Sequence, residues 1–226
     1  MLGIIGAMRQ EVTAIEGALI DETVQKHLGC ELHFGKLSDV NVVVVQSGIG
    51  KVNAALATAA LASAGVDQII FVGVAGGLGD EVRIGDLVIA EDLVQHDIDC
   101  TAAGYPVGTG IGEPLAWATD ISLSTQIVES AQHLGVKVHH GRIASGDIFV
   151  GSEEKSDWIH QTFGAIATEM EGAAVAQVAT KLGIPFAIVR WISDSANSEA
   201  HLDFPTFVNQ AAELDLAVIQ GLLAQS

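Results

Sequence analysis

Cations are scarce in this sequence. Ten Lys and Arg stand against 28 Asp and Glu, a formal charge of −18. Charged residues of all kinds make up 17% of the chain, where about 25% is usual, so the imbalance comes from missing cations more than from surplus carboxylates. That shortage disfavours a nucleic-acid partner, because phosphates are held mainly by Lys and Arg, and an anionic membrane surface for the same reason. Cysteine is scarce too. Cys30 and Cys100 stand alone without metal-ligand spacing, which fits buried thiols in a reducing compartment better than a disulfide. No apolar run approaches the ~20 residues of a spanning helix, and the first stretch, MLGIIGAMRQEV, has no positive n-region of a secretion signal; the expected location is the cytoplasm. No Pro-, Ser- or charge-rich linker divides the 226 residues, so one domain over residues 1–226 is expected. What the chain does have is apolar content: 49% hydrophobic residues and a mean hydropathy of +0.42. A chain of this size and composition buries roughly 70% or more of its unfolded surface and is not disordered.

Short runs rich in Val and Ile recur at Leu2 to Ile5, Asn41 to Gln46, Gln68 to Val72, Asp86 to Ala90, Val136 to Ile143, Ala165 to Thr168 and Phe186 to Trp191. They read as buried strands. Between them, Ala-rich stretches at Val52 to Ala64, Ser122 to Leu134, Gly172 to Leu182 and Phe207 to Leu223 have helical spacing. The alternation predicts an α/β fold around a mostly parallel sheet. Ligands then bind beyond the carboxyl ends of the strands.

Several motifs fail on inspection. Gly50-Lys51 lacks both the first glycine of a phosphate loop, where Val45 stands, and its Ser/Thr, where Val52 stands. The run from Gly73 to Gly79 has the wrong spacing for a dinucleotide fingerprint and reads as a Gly-rich turn close to a ligand. His96-Asp97-Ile98-Asp99 and His139-His140 are metal-ligand types without a third ligand at convincing spacing. Surface polarity is the simpler reading.

A set of polar residues after strands survives. Gly6-Ala7-Met8 precedes Glu11; Ser145-Gly146-Asp147 precedes Phe149; Glu169-Met170-Glu171 follows one strand and Ser193-Asp194 another. Singly, each carboxylate has a plain reading as a helix first-turn residue, cap or solvated side chain. Together with Gly3 to Met8, Ser47 to Val52 and Ala75-Gly76-Gly77, they resemble the motif set of the 5′-methylthioadenosine/S-adenosylhomocysteine nucleosidases, within the nucleoside phosphorylase/hydrolase superfamily. The match runs from the first strand to the last helix.

This resemblance implies a three-layer α/β sandwich with a central mixed sheet, a homodimer, no metal or other cofactor, and hydrolysis of an N-glycosidic bond to give adenine and a 5-alkylthioribose. Breaking that bond moves electrons into the base and leaves positive character on the sugar. The matching residues divide the work: Asp194, assisted by Ser193, as general acid to adenine N7; Glu11 as base for water; Glu171 as counter-charge to the ribosyl cation, with Met170 on the sugar face. By the same resemblance Arg190 organises the water and ribose region, Phe149 stacks on adenine, the Val150 backbone reads its edge, and Gly76 allows close approach. Met8, Ile49 and Phe204 line the 5′ pocket, which the neighbouring subunit completes with Cys100, Ala103 and Tyr105. A loop around residues 196–203 covers the ligand.

Two departures stand out. Val74 replaces a Ser usual in the family, and Ala103 replaces a bulky aromatic, which opens the 5′ pocket. Phosphorolysis is the nearest rival, but Phe71 and Val74 occupy positions where phosphorylases place phosphate-binding side chains. A hydrolase of another 5′-substituted nucleoside, of aminofutalosine type, is a second. A nucleoside-binding protein is a third, disfavoured because binding alone needs no separate acid and base.

Overall fold

β-branched residues suit a pleated surface packed on both sides, and the seven apolar runs are strands in the computed structural model, which describes residues 1–197 and 200–224, apart from the side chains of 201–206 and 209. They are β1 (Leu2–Gly6), β4 (Val40–Gln46), β5 (Gln68–Phe71), β7 (Leu87–Gln95), β9 (Val138–Ser145), β10 (Ala165–Glu169) and β11 (Phe186–Asp194). Four more strands join them: β2 (Ile20–His27), β3 (Cys30–Leu37), β6 (Val74–Gly77) and β8 (Ala116–Ala118). The eleven form one mixed sheet in the order β2-β3-β4-β1-β5-β11-β6-β10-β9-β7-β8. β1 runs parallel to β4 and β5, and β11 parallel to β5 and β6. β10 opposes β6, while β7 opposes β11. That last pairing closes β11, β6, β10, β9 and β7 into a ring, so one half of the sheet is open and the other curls into a barrel. The mostly parallel expectation is corrected to a mixed sheet by the hairpin strands and by this closure.

Six helices cover the sheet: α1 (Arg9–Gly17), α2 (Lys51–Ser63), α3 (Ile121–Gln132), α4 (Glu153–Phe163), α5 (Gly172–Leu182) and α6 (Ala200–Leu223). Alternate strand residues point to opposite faces, and the core divides accordingly. On one face Ile5, Val43, Ile69 and Ile188 pack with Ala57 and Leu61 of α2 and Val175 of α5. On the other, Ile4, Val44, Ile70 and Val189 pack with Val12 of α1, Ile127 of α3 and Val218 of α6. These are the three layers implied by the resemblance.

The segments not anticipated from sequence are mostly short or polar. β2 is exposed along nearly its whole length at the sheet edge, with charged residues of the kind that blunt an edge strand. α1 and α4 are polar helices. The glycine run is not a turn at Gly76-Gly77: both lie in the fully buried strand β6. α6 begins at Ala200 rather than Phe207, so half of the expected covering loop, residues 200–203, is helix, and Ser198 and Glu199 lie outside the described residues.

Candidate active site

The carboxyl ends of β1, β4, β6, β10 and β11 converge on a cleft of about 740 Å³, counting the space open to solvent. Met8, Glu11, Ile49, Gly76, Phe149, Val150, Met170, Glu171, Ser193 and Asp194 all line it. Ala7, Val74, Ala75, Ile148, Thr168 and Glu169 line it as well.

Glu11 is buried in the first turn of α1 and reaches back over it. Its Oε2 accepts from the backbone N–H of Ala7 (2.7 Å) and Met8 (2.8 Å), and its Oε1 from that of Val74 (3.3 Å). The Met8 contact is half of a capping box. Burial pushes the carboxyl above its usual range, opposed by the Arg190 charge and by these three amides. Gly73 makes the seat possible: at φ +145° it lies in a region L side chains rarely adopt, and a Cβ there would stand 2.5 Å from Glu11 Oε1.

Asp194 closes β11 at a register shift between Ile192 and Asp194. Its Oδ2 accepts from the Ser193 hydroxyl (2.8 Å) and its Oδ1 from the Ala196 amide (2.8 Å). Gly76 serves this residue: a Cβ on it would come within 2.9 Å of both Asp194 Oδ1 and Ala196 Cβ. The close approach expected at Gly76 is thus first an approach to the Asp194 carboxyl.

Glu169 and Glu171 part company at the turn from β10 into α5. Glu169 caps α5, accepting from the amides of Glu171 (3.2 Å) and Gly172 (2.8 Å), from the Ser145 hydroxyl and from Arg190 Nη2 (2.8 Å). Glu171 Oε1 instead accepts from the Gly50 amide (2.7 Å) at the start of α2. Burial, then the Glu169 charge, pushes Glu171 up to about 8, against the lowering pull of the Gly50 amide and Arg190. The resemblance implies negative charge on Glu171, and the fold gives its carboxyl a raised proton affinity. A buried carboxyl beside the Glu169 charge is disfavoured in its ionised form.

Arg190 does not line the cleft. Its guanidinium is buried behind it, 3.9 Å over the Phe71 ring and paired with Glu169. It acts on the site through Glu169 and through its charge on Glu11 and Glu171. Cys100, Ala103 and Tyr105 do not line their own protomer's cleft; they lie at a short 3-10 turn, Thr101–Ala103. The Phe204 side chain lies outside the described residues. The plain reading of these carboxylates as helix first-turn or capping residues holds for Glu169, which caps α5.

The rejected motifs also find their places. Lys51 Nζ is tied to Asp97 (2.6 Å) and Gln95 (2.9 Å), and Asp147 Oδ1 accepts from the Lys51 amide (2.8 Å) at the start of α2. Among the described residues no group of three or more His, Cys, Asp or Glu is arranged to hold a metal, and none of the helices is long and apolar enough to cross a membrane.

A family model, the phosphorylase superfamily, matches residues 1–224. The chain belongs to this superfamily. Within it, the chain is 38% identical, over 227 aligned residues covering all of both chains, to a 5′-methylthioadenosine/S-adenosylhomocysteine nucleosidase of Staphylococcus aureus strain JH9. The fold of the nucleosidase from Neisseria meningitidis, solved with methylthio-immucillin-A, superposes with a TM-score of 0.95 at 36% identity, covering 100% of this chain and 99% of that one. A futalosine hydrolase of Helicobacter pylori strain 26695 also superposes at 0.95 and 36% identity, covering 100% and 97%. The mixed-sheet sandwich expected from sequence is therefore the fold of the superfamily.

Proposed function

We propose that this chain hydrolyses the N-glycosidic bond of 5′-methylthioadenosine and S-adenosylhomocysteine, releasing adenine and the 5-alkylthioribose. Full-length similarity to nucleosidases supports the substrate class. The observation that carries hydrolysis over phosphorolysis is the lining of the cleft: four carboxyl groups, Glu11, Glu169, Glu171 and Asp194, and no Lys or Arg among the described residues. A phosphate dianion there would meet repulsion without compensation. Water as nucleophile needs only a base.

Glu11 is that base. Three backbone amides favour its ionised form while burial keeps it proton-hungry, which is the balance a general base needs. Asp194 delivers a proton to N7 as the base departs, with Ser193 holding its Oδ2. Glu171 and Met170 meet the sugar. The Glu171 carboxyl is the counter-charge to the ribose as positive charge grows on it. Phe149, half exposed, stacks on adenine and Val150 reads its edge. Met8, Ile49 and Phe204 form the 5′ pocket.

The reading includes a homodimer in the cytoplasm, the partner contributing Cys100, Ala103 and Tyr105 to the 5′ pocket. Apolar side chains exposed around the cleft support it: Ile49 is 54% and Phe149 51% exposed, and Val52 on the adjoining α2 is 80% exposed. A second substrate reading, a futalosine-type nucleoside, is favoured by the futalosine hydrolase likeness and by the small Ala103.

Free adenine measured from methylthioadenosine, S-adenosylhomocysteine, adenosine and aminofutalosine, with and without phosphate, tests the reading. Phosphate-independent release, fastest from the 5′-thio nucleosides, is expected. Fastest release from aminofutalosine selects the second substrate, and a strict need for phosphate overturns hydrolysis.

A further inference from the structure

Asp215, midway along α6, is fully buried at 0% exposure. Its Oδ1 accepts from the Trp191 indole N–H (2.9 Å), while its Oδ2 has no hydrogen-bond partner among the described residues. A carboxyl sealed in an apolar layer with one donor weakens the fold compared with a packed leucine, and Val218, Ile219 and Leu222, one and two turns further along α6, belong to the same apolar core as Trp191. Stability does not explain its presence. Its electrostatic neighbours are Glu11 and Arg190.

Trp191 links it to the site. The Trp191 backbone N–H donates to the Gly73 carbonyl (2.9 Å), and Trp191 stands in register with Val74 across β11 and β6. Gly73 and Val74 are the two residues that seat Glu11 Oε1, one by lacking a Cβ and the other by its amide. α6 in turn packs against α1, which carries Glu11, and against β11. The indole–carboxyl bond therefore pins α6 to the strand position that supports the seat of Glu11.

We propose that Trp191 and Asp215 are positioning residues for Glu11, holding the Gly73-Val74 backbone and α1 in the relation that aims the base at water. This rests on Glu11 being the base. Kinetics of methylthioadenosine hydrolysis test it. Asp215→Leu and Trp191→Phe are expected to lower kcat about tenfold or more with KM changed less than about twofold, the pattern of an interaction expressed in the transition state. Asp215→Asn, whose amide oxygen still accepts from the indole, should keep kcat within about threefold. In a Glu11→Gln background, Asp215→Leu should cause no further loss, because residues acting through one another are non-additive. If Asp215→Leu does not fold, Trp191→Phe decides alone. Folded variants with wild-type kcat, or an equal fractional loss in the Glu11→Gln background, would overturn the positioning role while leaving the proposed function standing. Normal turnover by Glu11→Gln itself would overturn both.

Discussion

At the scale of single residues, the site is a problem of buried negative charge. Glu11, Glu169 and Glu171 all feel one guanidinium, Arg190, and only Glu169 touches it. The direct pair is structural: breaking a buried ion pair by removing one partner costs about 3–5 kcal/mol. In the proposed reaction Glu11 and Asp194 do chemistry on top of that frame. Asp194→Asn and Glu11→Gln should each lower kcat by about 100-fold to 10,000-fold, the usual worth of a positioned acid or base, while thermal melting shows both still folded. Near-normal turnover by both would remove the acid and base assignments. Glu171 adds a pH signature. Its carboxyl sits at about 8 in the fold against an ordinary value of 4.5, so the folded state holds a proton that the unfolded chain releases over that interval. Stability from this group is complete below about pH 4.5 and is lost as pH rises through about 8. The melting temperature of the free protein should fall over that window, and Glu171→Gln should flatten the fall. An unchanged slope in the variant would contradict the proton assignment.

At the scale of elements, strand ends decide where chemistry sits, and small residues decide how closely strands and carboxylates meet. β6 illustrates both. Its glycines suggest a turn in sequence, yet they are a buried strand because Gly76 leaves room for Asp194 and Ala196, and a Cβ on Gly77 would crowd Val82 at 2.9 Å. Gly76→Ala should therefore displace Asp194: overpacking costs about 1–3 kcal/mol, and kcat should drop, while the exposed Gly17, which has open space around it and no positive φ, should tolerate a side chain far better in activity assays. The seven strands with a strong apolar period were legible as such, and α5 was legible to the residue. The hairpin strand β2 and the helices α1 and α4 were not, because edge strands and solvent-facing helices carry polar sequences whose conformation is set by partners. The lining of the cleft was legible mainly from motif resemblance. What sequence did not reveal was the division between neighbours: Glu169 capping a helix, Glu171 turned to Gly50, and Arg190 withdrawn behind both.

For the whole molecule, the charge of −18 gains a local meaning. The proposed substrates are neutral or zwitterionic, so the acidic surface serves solubility rather than steering, while the cation-free cleft suits a sugar that becomes positive. In the proposed homodimer a second copy supplies part of the 5′ wall of the cleft. Sedimentation should give twice the 23.4 kDa chain mass, and Tyr105→Ala should raise KM for 5′-thio nucleosides more than for adenosine; a fully active monomer would contradict the shared pocket. The central claim is that water attacks the sugar in a site built without a phosphate cradle. It is tested most directly by running the reaction with methylthioadenosine in oxygen-18 water containing phosphate and weighing the sugar product. Methylthioribose carrying the label at C1 is predicted; unlabelled methylthioribose 1-phosphate would contradict the account.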